Sequence, residues 1–346
     1  MIKLQRSAIV AIQRAKDPTE LYPWLQSAIE LEHSTIPPYL TAMFSLKPGT
    51  NDDIARLIRS IVVQEMLHMT IVGNILIAIG GSPSINTPSF VPHYPGPLPL
   101  SIGGSSFVVG IEPFSKPLVQ NVFMTIEEPE DPIPVIALAG GPVPDFATIG
   151  EFYAALKKKL AEFPDSIYGH VDRQVLQWFP PDVLFPITNG TSAARAIDII
   201  VDQGEGTSTD PFQSPKDPAH YYKFGEIFYG RTIVKTAGGF AYAGNPVPFD
   251  PKGVYPMRPN PKIHYFEPGT HARIKIEQFS YAYSSLLNTL HIAFNGQPAH
   301  INTAIGLMYE LKMIAVSLMR TPLCDGSNMT AGPSFEYIDA VQAAVA

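Results

Sequence analysis

The strongest constraint on this chain lies between Thr50 and the glycine pair Gly80-Gly81. Ile54, Leu57, Ile58, Ile61, Glu65, His68, Met69, Val72, Leu76 and Ile79 recur there at helical spacing, so one apolar stripe runs the whole length of a helix. Asp52 and Asp53 fall in its first turn, where acids complement the helix dipole, and the two glycines stop it. At 1.5 Å per residue such a helix is roughly 45 Å long, a length that belongs to helical bundles. Glu65 and His68 lie inside the stripe, three positions apart and therefore on one face. A carboxylate buried among apolar side chains costs several kcal/mol unless something neutralises it. The rest of the chain must supply that compensation.

The remaining periodicity predicts a mainly α, single domain over residues 1–346, with Pro/Gly-rich loop-and-strand insertions. A first bundle helix spans about 18–46, where Leu25, Ala28, Ile29, Glu32, Ile36, Tyr39 and Leu40 share a stripe. Pro37 and Pro38 fall inside it and predict a break or kink one turn after Glu32. The second helix is the one at 50–80. Residues 82–144 are punctuated by proline and glycine, with SSFVVGIEPF and QNVFMTI as β-prone pieces, and are expected to be an insertion. A helix follows from Thr148 to about Phe163. Another spans 192–205, in which Ile197 and Val201 step by four onto Glu205. The pair Asp217-Pro218 suits an N-cap and a first helical position, which predicts a helix over 217–232. A second irregular insertion, 233–268, precedes a helical hairpin at 271–320, turned at Asn295-Gly296.

The charge balance, 24 basic against 31 acidic residues, contains no dense Lys/Arg run to track a phosphate backbone or an anionic membrane, so no nucleic acid and no membrane partner is expected. The start of the sequence has no signal-type apolar core, and no run reads as a membrane span of about 20 residues, which predicts a cytoplasmic protein. Cys324 is the single cysteine. A thiolate-rich metal site is excluded, and any metal here must sit on nitrogen and oxygen.

Carboxylate-bridged di-iron bundles take single glutamates from two helices and Glu-x-x-His pairs from two more. This chain supplies Glu32, then Glu65 with His68, then Glu205, then His220 with Asp217 three positions before it. These six are the candidate metal ligands. Glu30 is the alternative to Glu32 if the helical phase is shifted, an N-cap role explains Asp217 without metal, and Glu226 competes for the sixth place. Each histidine is expected to donate its second ring nitrogen to an outer acceptor that fixes its orientation. Tyr39, Tyr221, Tyr222 and Phe224 read as core or cavity lining. The donor set suits iron (Fe), in a di-iron arrangement, with manganese (Mn) as the alternative.

The stretches AIELEHSTIPPYLTAMFSL, VVQEMLHMTIVGNILIAIGGSP, TIGEFYAAL, DQGEG, AHYYKFGEIFYGR and FNGQP, in this order, resemble the ferritin-like domain of the iminophenyl-pyruvate dimer synthase family and of stand-alone bacterial proteins of similar size. The resemblance covers most of the chain from Leu21 to about Arg320, whereas the pathway enzymes are much longer chains. It implies a ferritin-like helical bundle with an iron centre and, for the pathway enzymes, oxidative coupling of two imines derived from an aromatic amino acid. Together these readings predict a metal-dependent oxidoreductase acting on a small organic substrate, an imine or amino-acid-derived metabolite of secondary metabolism. The alternative is a metal-binding or storage protein without organic turnover. A homo-oligomer is compatible with either.

Overall fold

The computed structural model describes residues 6–101, 106–129, 149–206, 210–214 and 217–338. Helix α1 (Arg6–Arg14) leads through a capped turn into α2 (Tyr22–Phe44). In that turn Asp17 Oδ1 accepts from the Thr19 amide at 2.9 Å and Glu20 reaches back to the Asp17 amide. α2 runs through both prolines without ending. Proline at position 38 removes the donor that the Ser34 carbonyl would have used, and the Tyr94 hydroxyl replaces it at 2.6 Å. An outside phenol thus satisfies the carbonyl that the predicted break would have released.

Helix α3 (Asp52–Ala78) packs along α2 and supplies much of the core. Its end is closed by Gly80 in the left-handed region, φ 90°, with the Gly81 amide on the Leu76 carbonyl. Gly73 matters for what it lacks. A Cβ there would meet the Phe294 ring at 2.9 Å, so glycine sets how closely the C-terminal hairpin approaches.

The stretch from Lys116 to Ile126 is helical, as α4 (Lys116–Leu118), a π-type turn (Val119–Phe123) and α5 (Met124–Ile126). This corrects the expected strand at QNVFMTI. Ser115 caps the start through the Leu118 amide, and Pro117 sits in the first turn. Residues 130–144 of the expected insertion, and Thr148, lie outside the described residues. The piece SSFVVGIEPF makes no strand among its described residues beyond a bridge between Val109 and Gly96.

Helix α6 (Ile149–Glu162) lies against α7 (Gly190–Gly204), which opens on an Asn189–Ser192 capping box. A further correction concerns residues 217–219. Asp217–Pro218 forms strand β2 against β1 (Phe212–Ser214), so α8 begins at His220 and ends at Tyr229, before Gly230 at φ 75°. The Ala219 amide is bonded to the Pro211 carbonyl, which ties the start of α8 to the β1 strand. Strands β3 (Arg231–Thr236) and β4 (Gly239–Pro246) form an antiparallel hairpin that takes the last two residues of the expected helix, 231–232, and the start of the second expected insertion. Helices α9 (His271–Phe294) and α10 (Ile301–Met319) form the C-terminal hairpin.

Two helical stretches are long and apolar enough to cross a membrane by length and composition alone, which corrects the expectation that no run is. Asp52–Ala78 has 83% of its apolar window buried inside the protein, the position of a core helix. Pro298–Met319 has 28% of its window buried.

A carboxylate and histidine cluster in the bundle core

Glu32 of α2 and Glu65 and His68 of α3 converge, with their ligand atoms within 4.8 Å of one another. Glu65, Glu127 and His220 converge within the same limit. Glu65 therefore belongs to both groups. It sits on the middle of the long stripe, which turns it toward α2 on one side and toward the start of α8 on the other.

Each carboxylate is held by one oxygen and presents the other. Tyr153 of α6 donates to Glu32 Oε1, Thr35 donates to Glu65 Oε2 at 2.9 Å, and Tyr39 donates to Glu127 Oε1 at 2.6 Å. The remaining oxygens face the two imidazoles. His68 Nδ1 is 3.4 Å from Glu32 Oε2 and 4.0 Å from Glu65 Oε1. His220 Nδ1 is 2.8 Å from Glu65 Oε1 and 3.5 Å from Glu127 Oε2. The rings stack at 5.5 Å between centroids. Behind them, His68 Nε2 lies 3.0 Å from Gln203 Oε1 and His220 Nε2 lies 3.1 Å from Gln64 Oε1.

That outer shell decides which nitrogen carries the proton. An amide oxygen only accepts, so each Nε2 donates, and each Nδ1 turns a lone pair toward carboxylate oxygens. Among the described residues no lysine or arginine pairs with these three carboxylates. Burial, together with the Glu127 and Glu32 charges, pushes the Glu65 carboxyl well above the ordinary carboxylate range. Burial and the neighbouring acids likewise push the Tyr39 and Tyr153 hydroxyls up, so both remain donors. Carboxylate oxygens and imidazole nitrogens converging on one space fit hard or borderline cations such as iron or manganese. Glu32, Glu65, His68, Glu127 and His220 would hold them.

The other candidates lie elsewhere. Glu205 follows the end of α7 and lines the same cavity as the cluster, outside its two ligand groups; a Cβ on Gly150 would be 2.8 Å from its Oε2. Asp217 pairs with Lys223 at 2.9 Å, because residues 217–218 are drawn into a strand. Glu226 accepts from the Ile233 amide at 2.9 Å and ties α8 to the β3–β4 hairpin. Glu30 accepts from Gln26, one turn earlier on α2. Glu127 is the residue that sequence reasoning passed over. Its signal was present: Ser115 and Pro117 mark a helix start, and Phe123 steps by four onto the acid. The cavity is walled by Leu31, Ile126, Ile149, Ile200 and Val201, with Glu128 and Glu205 also on its lining.

A helical bundle with a carboxylate–histidine cluster at its core defines a class, and residues 25–229 match the Ferritin-like family model. The chain belongs to the Ferritin-like family. It is similar to the crystal structure of a ferritin-like protein from Caulobacter vibrioides, with 26% identity and a TM-score of 0.62 over 92% of this chain and 97% of that one. It is also 24% identical over 308 residues to dichlorochromopyrrolate synthase of Lentzea aerocolonigenes, covering 79% of this chain and 29% of that protein. The chain thus spans under a third of the length of that relative.

Proposed function

We propose that this protein is a non-haem, di-iron oxidoreductase that acts on a small organic molecule, an amino-acid-derived imine or its amine. The observation that carries the reading is the convergence of Glu32, Glu65, His68, Glu127 and His220, with Glu65 shared by both groups. Iron, when bound, supplies redox chemistry toward oxygen or peroxide that no side chain here provides. The protein supplies the setting. Thr35, Tyr39 and Tyr153 hold one oxygen of each carboxylate so that the other stays aimed inward. Leu31, Ile126, Ile149, Ile200 and Val201 wall the space around the ligands and limit the access of water to it. The likeness to a synthase named for dichlorochromopyrrolate supports a substrate from secondary metabolism.

Iron content and oxygen consumption of the purified protein test the reading. Two irons per chain, with oxygen uptake that rises on adding aromatic imines or amines, is the expected result. Iron without uptake favours storage, and protein that binds no metal after reconstitution refutes the centre.

A further inference from the structure

Resting on that metal reading, we propose that Gln64, locked by Lys223, is a positioning residue that pre-forms the His220 half of the centre and makes the two halves unequal. Lys223 is buried, and its Nζ donates to Gln64 Oε1 at 2.9 Å while pairing with Asp217 at 2.9 Å. An ammonium has no lone pair, so the Gln64 oxygen must face it. The other end of the amide is fixed as well. Gln64 Nε2 donates to Gln213 Oε1 at 2.9 Å, and Gln213 Nε2 donates to the Pro218 carbonyl at 3.3 Å and more distantly to Gln64 Oε1 at 3.4 Å. A carbonyl accepts only, so the orientation of both amides follows from groups that cannot exchange roles. The Gln64 oxygen accepts from His220 Nε2 at 3.1 Å, and this forces the lone pair of Nδ1 toward Glu65 and Glu127.

The His68 half has the same plan without the lock. Gln203 Oε1 faces His68 Nε2 at 3.0 Å. Among the described residues, no ammonium and no second carbonyl holds the Gln203 amide. Glycine at 204 and the end of α7 follow immediately. The His220 half therefore reaches its ligand geometry before metal arrives, and the His68 half reaches it on binding. Orienting partners of ligand histidines are worth about 10–100-fold in metal affinity. The Asp217 that the ligand pattern singled out thus acts two steps back, as the counter-ion of the lock.

Calorimetric titration of the metal-free protein with Co(II), with circular dichroism to check folding, tests this. Wild-type protein should bind two ions in unequal steps. Gln64→Leu should weaken the tighter step by about 10–100-fold and spare the other, whereas Gln203→Leu should weaken the looser one. Gln64→Glu, which keeps an acceptor, should retain the tight step. Nitrogen-15 chemical shifts of the His220 ring should show the proton on Nε2 in wild type and in Gln64→Glu, and mixed tautomers in Gln64→Leu. Wild-type protein that binds two ions while folded Gln64→Leu leaves both steps unchanged, or weakens both equally, overturns the lock alone. Wild-type protein that binds no metal overturns the centre and the lock together.

Discussion

Replacing Glu65 by glutamine should stabilise the metal-free protein while abolishing its centre. The ligand atoms of Glu32 and Glu127 lie within 4.8 Å of that of Glu65. At that spacing and an effective dielectric constant near 20, each ionised pair repels by roughly 3.5 kcal/mol. Keeping a proton would spare Glu65 this repulsion, and burial with the neighbouring acids raises its pKa in that direction. A carboxyl whose folded pKa is raised contributes its full stability below the unfolded value and loses it as pH climbs through the folded one. The ordinary value is 4.5, and each pH unit above it costs about 1.4 kcal/mol until Glu65 ionises. The metal-free wild type should therefore lose stability relative to Glu65→Gln, which mimics the protonated acid without titrating, progressively as pH rises above that value. Thermal or urea unfolding in chelator, at several pH values, measures the difference. With metal present the sign reverses, because binding needs the ionised carboxylate and releases its proton. Glu65→Gln that binds a full complement of metal, or a gap between the two proteins that does not widen with pH, refutes the reasoning.

Other expectations follow from the same contacts. Tyr39→Phe and Tyr153→Phe each free one carboxylate oxygen, and should weaken metal binding measurably in a competition assay with a chromophoric chelator while the fold stays intact by circular dichroism. Tyr94→Phe strands the Ser34 carbonyl that Pro38 leaves without its helical donor, and should cost about 1–3 kcal/mol in urea unfolding with metal stoichiometry unchanged. Gly73→Ala drives a methyl group into the Phe294 ring and should cost about 1–3 kcal/mol, visible as a lower melting temperature. Excess metal at about 100 times its Kd should raise stability by roughly 2.7 kcal/mol for each ion bound, and chelation should remove that gain.

Local pattern carried the helices and half of the cluster. The phase of α2 turns Glu32 inward, and the spacing of Glu65 and His68 places both on the buried stripe of α3. These facts depend only on the 3.6-residue repeat and on which side chains avoid water. His220 was visible as the imidazole of the fourth element of the ligand pattern. What lay beyond the pattern was competition between distant partners. Asp217-Pro218 reads as a helix start, yet pairing with β1 and the ammonium of Lys223 claim those residues first. Glu205 ends an apolar stripe, yet α7 stops at Gly204 and leaves its carboxylate beside Gly150 on the cavity lining. Glu127 lies in a stretch that looked like strand, and a π-type turn delivers it to Tyr39 and His220. Periodicity tells which residues face inward; only the packing of elements far apart in the chain tells which inward-facing groups meet.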